Sequence, residues 1–220
     1  MPNWCCNEEY IYGPKPQVKE LYEKLIDWTS HKYNGDDSRE VWLYKIALGA
    51  GFSIEPDPKN ETQSYIYFRG YLLEPFEFAD YDNDNALISF ASDTAWGSLY
   101  KEWDKILTKI APECKYYFIA SEPGNEIYIK RDPLELFPES DWFVDICIND
   151  SEGVPKRLLE HDGCENWWLE SDLVHYLKEL LDMKSDDIHE LVGEFYRRYS
   201  DGAFGSLDNY YSFNKIEEIQ

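Results

Sequence analysis

The chain has 220 residues, 43% hydrophobic and 17% aromatic, which is enough apolar surface for an ordered core in one large domain or a core domain with a smaller addition. Its 44 Asp and Glu against 21 Lys and Arg leave a net charge of -23, which repels phosphates and argues against ordinary DNA or RNA binding. No apolar run approaches the ~18 residues of a membrane span, the five cysteines form no C-x-x-C or zinc spacing, and no apolar segment precedes the first basic residue, Lys15, so the cytoplasm is the expected compartment.

Residues 4–12 read as a strand that ends at the breaker Gly13-Pro14. Pro16 can then open a helix, whose stripe Val18, Leu21, Tyr22, Leu25 and Ile26 has helical spacing to about Trp28. The loop 34–38 leads to a second helix at about 39–48, stopped by Gly49-Ala50-Gly51, and the Pro-rich stretch 55–61 is loop. Strands are expected at 64–71, 76–79 and 86–91, with an acidic turn at 80–85. Ser98 is expected to cap a helix carrying Leu99, Trp103, Ile106, Leu107 and Ile110, ended by Pro112. Strands at 115–121 and 126–130 flank Glu122-Pro123-Gly124-Asn125, where Pro followed by Gly predicts a type II turn and antiparallel pairing. A further strand covers 141–149. Helices then follow from the caps Ser171 and Ser185, the second ending before Gly202, and Tyr210–Ile216 can form a last strand.

This order predicts an α+β fold: a ferredoxin-like antiparallel sheet covered by helices 16–28 and 98–110, with an added C-terminal helical hairpin from about residue 165. The expected division is a domain over 1–150, with an insertion at about 34–62, and a C-terminal helical extension over 151–220.

Three motifs stand in a shared order: Met1-Pro2-Asn3-Trp4-Cys5-x-Asn7 at the start, Asp93-Thr94-Ala95-Trp96 between a strand and a helix, and Glu122-Pro123-Gly124 after the next strand. Over residues 1–132 the chain resembles phage- and plasmid-borne proteins of unknown function that carry a ferredoxin-like domain. The resemblance implies that fold and a mobile-element origin, and no established reaction. Two departures stand out. The Trp-Gly-x-Lys-Trp element that precedes Thr-Ala-Trp in the family is missing, with Tyr71, Phe76 and Tyr81 in that stretch. Gly97-Ser98 replaces the Pro-Pro that often follows Thr-Ala-Trp.

Asn3, Trp4, Asn7, Thr94, Trp96 and Glu122 are the ligand-binding candidates, since a central first strand would bring its ends near the 92–96 and 121–125 loops. Two indoles, two amides and a carboxylate would suit a planar or amino-bearing ligand, or a peptide terminus. The plain alternative is that the tryptophans anchor the terminus and the asparagines cap backbone. An N-terminal Pro2 amine acting with Glu122 is a weaker enzymatic version. Glu77, Asp80, Asp82 and Asp84 form a candidate acidic partner face, because residues 70–100 contain no Lys or Arg. Residues 160–194 form a second acidic stretch, opposed only by Lys178 and Lys184. The aspartates at 80, 82 and 84 do not make a calcium loop, since Asn85 and Ala91 hold the places of the required Gly and Glu. His161, Asp162 and Cys164 lie close in sequence without a nucleophile's third partner. No metal, cofactor or catalytic set is read. The leading expectation is a mobile-element-type interaction protein that binds a partner protein through acidic surface, and the alternative is a small-ligand or enzymatic pocket around Trp4, Trp96 and Glu122.

Overall fold

The structure, a computed structural model, describes residues 3–30, 41–54, 65–149, 151, 154–162, 164–199 and 209–219. It is an α+β fold in two compact units, Met1–Asp132 with Glu218–Gln220, and Pro133–Glu217. The division falls at Asp132, before the strand that was expected to belong to the first domain.

The first unit is built on a sheet of order β10-β6-β5-β1-β4-β3-β2. Its strands are β1 (Trp4–Pro14), β2 (Val41–Trp42), β3 (Gly70–Asp80), β4 (Asn85–Ala95), β5 (Lys115–Glu122), β6 (Ile127–Arg131) and β10 (Glu217–Glu218). β1 pairs antiparallel with β4 and with β5, so it is central, and β3 pairs antiparallel with β4. Helices α1 (Lys15–Thr29) and α3 (Tyr100–Ile110) lie against the sheet, α1 on β4 and β1, α3 on β5. Val18, Leu21 and Leu25 of α1 and Trp103, Ile106 and Leu107 of α3 meet Ile11, Ile88, Phe90 and Phe118 in one apolar core. Burying such side chains contributes about 1.5–3 kcal/mol each. α1 begins after Pro14 with Pro16 in its first turn, where a missing N–H costs nothing.

Several local expectations are corrected. α2 is short, Tyr44–Gly49, because Val41–Trp42 pairs with Leu72 and Tyr71 instead of continuing a helix; residues 39 and 40 lie outside the described residues. β3 starts at Gly70 rather than at residue 64 and absorbs the expected short strand at 76–79. Ser98 does not cap α3: Leu99 holds the cap position and makes no side-chain cap. Pro123–Asn125 is a 3-10 turn rather than a type II turn, and Glu126 takes the left-handed conformation at φ 55°.

The second unit has its own three-stranded antiparallel sheet, β8-β7-β9, from β7 (Trp142–Cys147), β8 (Cys164–Trp168) and β9 (Tyr210–Lys215). β8 falls at the point where the sequence suggested the onset of helices. α4 (Lys156–Leu159), α5 (Glu170–Leu181) and α6 (Ile188–Tyr199) complete it. Leu173, Leu177 and Leu181 of α5 join Leu191 and Phe195 of α6 and Trp142, Val144 and Ile146 of β7 in a second core. Asp187, not Ser185, caps α6, its carboxylate accepting from the backbone N–H groups of His189 (2.9 Å) and Glu190 (3.3 Å). Leu169 rather than Ser171 precedes α5. Gly202 lies outside the described residues. No helix among the described residues is long and apolar enough to cross a membrane.

Gly70 is where β3 closes on β4. A Cβ there would sit 2.5 Å from the Asp93 carbonyl oxygen and 3.0 Å from Thr94 Cγ2. Gly70→Ala must therefore part the strands, and a loss of about 1–3 kcal/mol is expected in urea unfolding; an unchanged midpoint would contradict this close approach.

Candidate functional site

Alternation along β1 lays out the site. Cys5, Asn7, Glu9 and Ile11 turn to the helix layer and are buried, while Trp4, Cys6, Glu8, Tyr10 and Tyr12 turn to the opposite face. The register carries this division sideways. Cys5 lies beside Thr94, Asn7 between Ser92 and Ala120, and Glu9 between Phe90 and Phe118. One step beyond the Cys6↔Ser121 pair sets Glu122 beside Cys5.

Asn7 is the hub of the polar end. Its side-chain amide donates to the Cys5 carbonyl (2.8 Å), the Ser92 carbonyl (3.1 Å) and Thr94 Oγ1 (2.9 Å). Thr94 Oγ1 in turn donates to the Gly97 carbonyl at 2.8 Å. Trp96 N–H donates to the Asn3 carbonyl at 2.9 Å. Glu122 Oε1 accepts from Gly124 N–H at 3.0 Å, and its other oxygen is buried without a partner among the described residues. A Cβ on Gly124 would meet Asn3 Nδ2 at 2.5 Å, so glycine lets the Asn3 side chain rest on the turn. Asn3, Asn7, Thr94 and Glu122 are thus brought to one end of β1. Most of their hydrogen bonds go to backbone, which fastens the start of β1 to the β4 and β5 turns.

The two tryptophans do not join this group. Trp4 alternates to the outer face, where its ring meets the edge of Tyr71 at 5.1 Å; Tyr71 donates to Asp93 there at 2.7 Å. Trp96 is 52% exposed on the turn after β4, at φ 72°, and its ring pairs with no other ring among the described residues. Trp4 and Glu122 therefore stand on opposite sides of the sheet. A cavity of about 370 Å³ in this unit is lined by Trp42, Tyr44, Ile54, Tyr67, Phe68 and Arg69; it adjoins the motif residues, since the Arg69 carbonyl accepts from Ala95 N–H at 3.1 Å and Trp42 meets Tyr71, which meets Trp4.

A buried carboxyl that motif reading missed lies deeper on the inner face. Glu9 is 2% exposed, and Tyr116 donates its hydroxyl to Glu9 Oε1 at 2.6 Å. Among the described residues the Ser92 hydroxyl and Trp103 indole N–H have no partner in hydrogen-bonding geometry, yet they approach Glu9 closely enough to favour the ionised carboxylate. Burial outweighs these donors and pushes the Glu9 pKa up to about 8. Burial, then Glu9, drives the Tyr116 hydroxyl well above its ordinary range. The Cys5 thiol is likewise held far above its usual value, by burial first and then by Cys6, with Glu122 and Glu9 adding to it and the Thr94 hydrogen bond opposing. It is not an activated nucleophile. The signal for Glu9 was available: it shares the parity of Cys5, Asn7 and Ile11 on a central strand.

The acidic candidates sit on the β3–β4 hairpin. Glu77 is exposed and lies opposite Ser89. Asp80 pairs with Lys15 at 3.3 Å. Asp82 builds the turn, accepting from the Asn85 side-chain amide at 3.0 Å and from the backbone N–H groups of Asp84 and Asn85 at 2.8 Å each, and the Asn85 amide first, then those N–H groups, hold its carboxyl below the usual range. Asp84 is exposed. In the second unit the His161 ring packs on Trp168 (5.4 Å) and Tyr176 (5.0 Å), a packing role.

No protein-family model, no curated protein and no solved structure matches the chain.

Two outcomes follow. Asn7→Leu leaves three buried acceptors without their shared donor and is expected to cost roughly 1–3 kcal/mol in chemical unfolding; a neutral effect would remove Asn7 as the hub. Folded Glu9 holds a proton that the unfolded chain releases above its ordinary pKa of 4.5. Stability linked to Glu9 is complete below pH 4.5 and is lost as pH rises through about 8. Wild type compared with Glu9→Gln should lose about 1.4 kcal/mol per pH unit across that window, measured by urea unfolding at a series of pH values. A pH-independent difference would show that Glu9 ionises freely in the fold.

Proposed function

We propose that the chain is a mobile-element-type protein-interaction module that binds a partner protein through acidic surface and performs no catalysis itself. The observation that carries this reading is the β3–β4 hairpin. Its residues 70–100 include Glu74, Glu77, Asp80, Asp82, Asp84 and Asp93 and no basic residue, and Glu74, Glu77, Asp80, Asp82 and Asp84 are exposed. Against this charge DNA and RNA are repelled, whereas a basic protein surface is attracted and steered in. The motif residues favour the same reading by default: the Asn7 hub is spent on backbone, and the Cys5 thiol stays protonated.

The ferredoxin-like assignment of the first unit rests on the order β5-β1-β4-β3, with α1 following β1 and α3 joining β4 to β5. The C-terminal helical hairpin rests on α5 and α6 packing on each other. The mobile-element origin rests on the three motifs of residues 1–132 alone.

The test is retention of purified histones, as a basic probe, on the immobilised chain, with duplex DNA offered in parallel. Retention at ~0.1 M salt that is lost by ~0.5 M, without DNA retention, is the expected result. Retention undiminished at ~0.5 M salt, or direct binding of DNA, would overturn the acidic-surface mechanism.

A further inference from the structure

The face of the sheet opposite α1 and α3 bears a trough. Its floor is β4, where the outward residues are the small Ala91 and Ser89, followed by Leu87. The register sets Glu8 and Glu74 on either side of Ala91, and Tyr10 and Glu77 on either side of Ser89. Tyr12 stands beside Leu87, its ring against Tyr81 at 5.3 Å and Tyr117 at 6.3 Å. Glu8, Glu74 and Glu77 are all exposed, and Tyr10 and Tyr12 are partly so.

These carboxylates differ from others in the unit. On the helix side Glu20 meets Lys24, Glu102 meets Lys105 and Asp104 meets Arg131. Among the described residues Glu8, Glu74 and Glu77 have no ion pair. Glu8 is raised by burial and then by the charge of Glu74, so two like charges face each other across the trough uncompensated. The cations that the register sets on this side are Lys115, beside Tyr12 at the rim, Lys130, which is held by Glu218 at 3.7 Å, and Arg69, which lies beside Ala95, four residues along β4 from Ala91.

We propose that this trough seats an arginine- or lysine-rich segment of the partner protein, its cations lying between Glu8, Glu74 and Glu77 and over the rings of Tyr10 and Tyr12. The assignment rests on the acidic-surface reading and narrows it to one face and one partner chemistry. An incoming cation relieves the Glu8–Glu74 repulsion, which gives it a gain that a neutral peptide lacks. A guanidinium also stacks on a tyrosine face while reaching a carboxylate. The small floor residues leave room for its backbone, and the tyrosines of Tyr81, Tyr12 and Tyr117 wall one end.

The probe is a fluorescent octa-arginine peptide, titrated by anisotropy at ~0.1 M salt. Two triple variants remove the same charge: Glu8→Gln/Glu74→Gln/Glu77→Gln in the trough, and Glu20→Gln/Glu23→Gln/Glu113→Gln on the helix side. The trough variant is expected to weaken binding about tenfold or more, and the helix-side variant by less than about threefold. Tyr12→Leu, which leaves the charge unchanged, should weaken it by about threefold. Equal losses in the two triple variants would overturn the trough and leave the acidic-surface reading standing, because net charge alone would then attract the peptide. Absence of peptide binding to the wild-type chain also overturns the trough; only with failed histone retention would it overturn the broader reading.

Discussion

β1 is hydrogen-bonded on both edges, from Trp4↔Ala95 to Pro14↔Asn85 on one side and from Cys6↔Ser121 to Tyr12↔Lys115 on the other. Two sets of neighbours therefore agree on one register. Because side chains alternate with period two, that register decides which half of the strand meets the helices and which half meets solvent. A slip by one residue would expose Cys5, Asn7 and Glu9 and bury Glu8, Tyr10 and Tyr12. Asn7 opposes that slip directly. Its amide reaches Ser92 and Thr94 across the strand pair only in the observed pairing, and a slip would take that donor from both acceptors. The strand is thus held in phase by a polar residue that sits in the apolar layer.

Glu9 shows the cost of the same arrangement. A carboxyl on the inner face must be neutral or well supplied with donors. Tyr116 gives one strong hydrogen bond, and Ser92 and Trp103 stand near it without full hydrogen bonds. The balance leaves it protonated across much of the neutral range. Beside this acid, the Cys5 thiol stays protonated and the Asn7 amide is committed largely to backbone.

Much of the first unit was legible in the sequence because its signals were local. Gly13-Pro14, the stripe from Val18 to Ile26, the acidic turn at Asp80–Asn85 and the helix around Trp103 each carry their cause within a few residues. The misread parts depend on pairing at a distance. Val41 and Trp42 have helical neighbours, yet Leu72 and Tyr71 capture them as an edge strand. Cys164–Trp168 becomes a strand because β7 offers it an edge, and that same pairing with β9 gathers Trp142, Val144 and Ile146 into a core separate from the first. The site was half legible. Asn3, Asn7, Thr94 and Glu122 do share one end of β1, as a central first strand requires. Trp4 was grouped with them by proximity in sequence, although one residue of alternation sends it to the opposite face.

The distribution of acids gives the outer face its meaning. A protein that needed negative charge only for solubility could scatter it over helices, where lysines at helical spacing offset it, as Glu20 and Lys24 do here. Placing Glu8 and Glu74 on opposite sides of Ala91, in the middle of a sheet, is costly instead. The strands are fixed, so the two charges cannot rotate apart as they could on loops. Pro75 and the register shifts on either side of Glu74 disrupt the regular pairing of β3 with β4, which discourages another strand from joining at that edge. What remains accessible is the face over β1, β4 and β3, since Ile119, Ser121 and Tyr128 on the same side are buried. Its chemistry is carboxylate beside tyrosine, a combination that favours cations carrying their own planar, weakly hydrated group. Arginine meets both requirements at once, whereas a hydrated metal ion meets only the first and a phosphate meets neither.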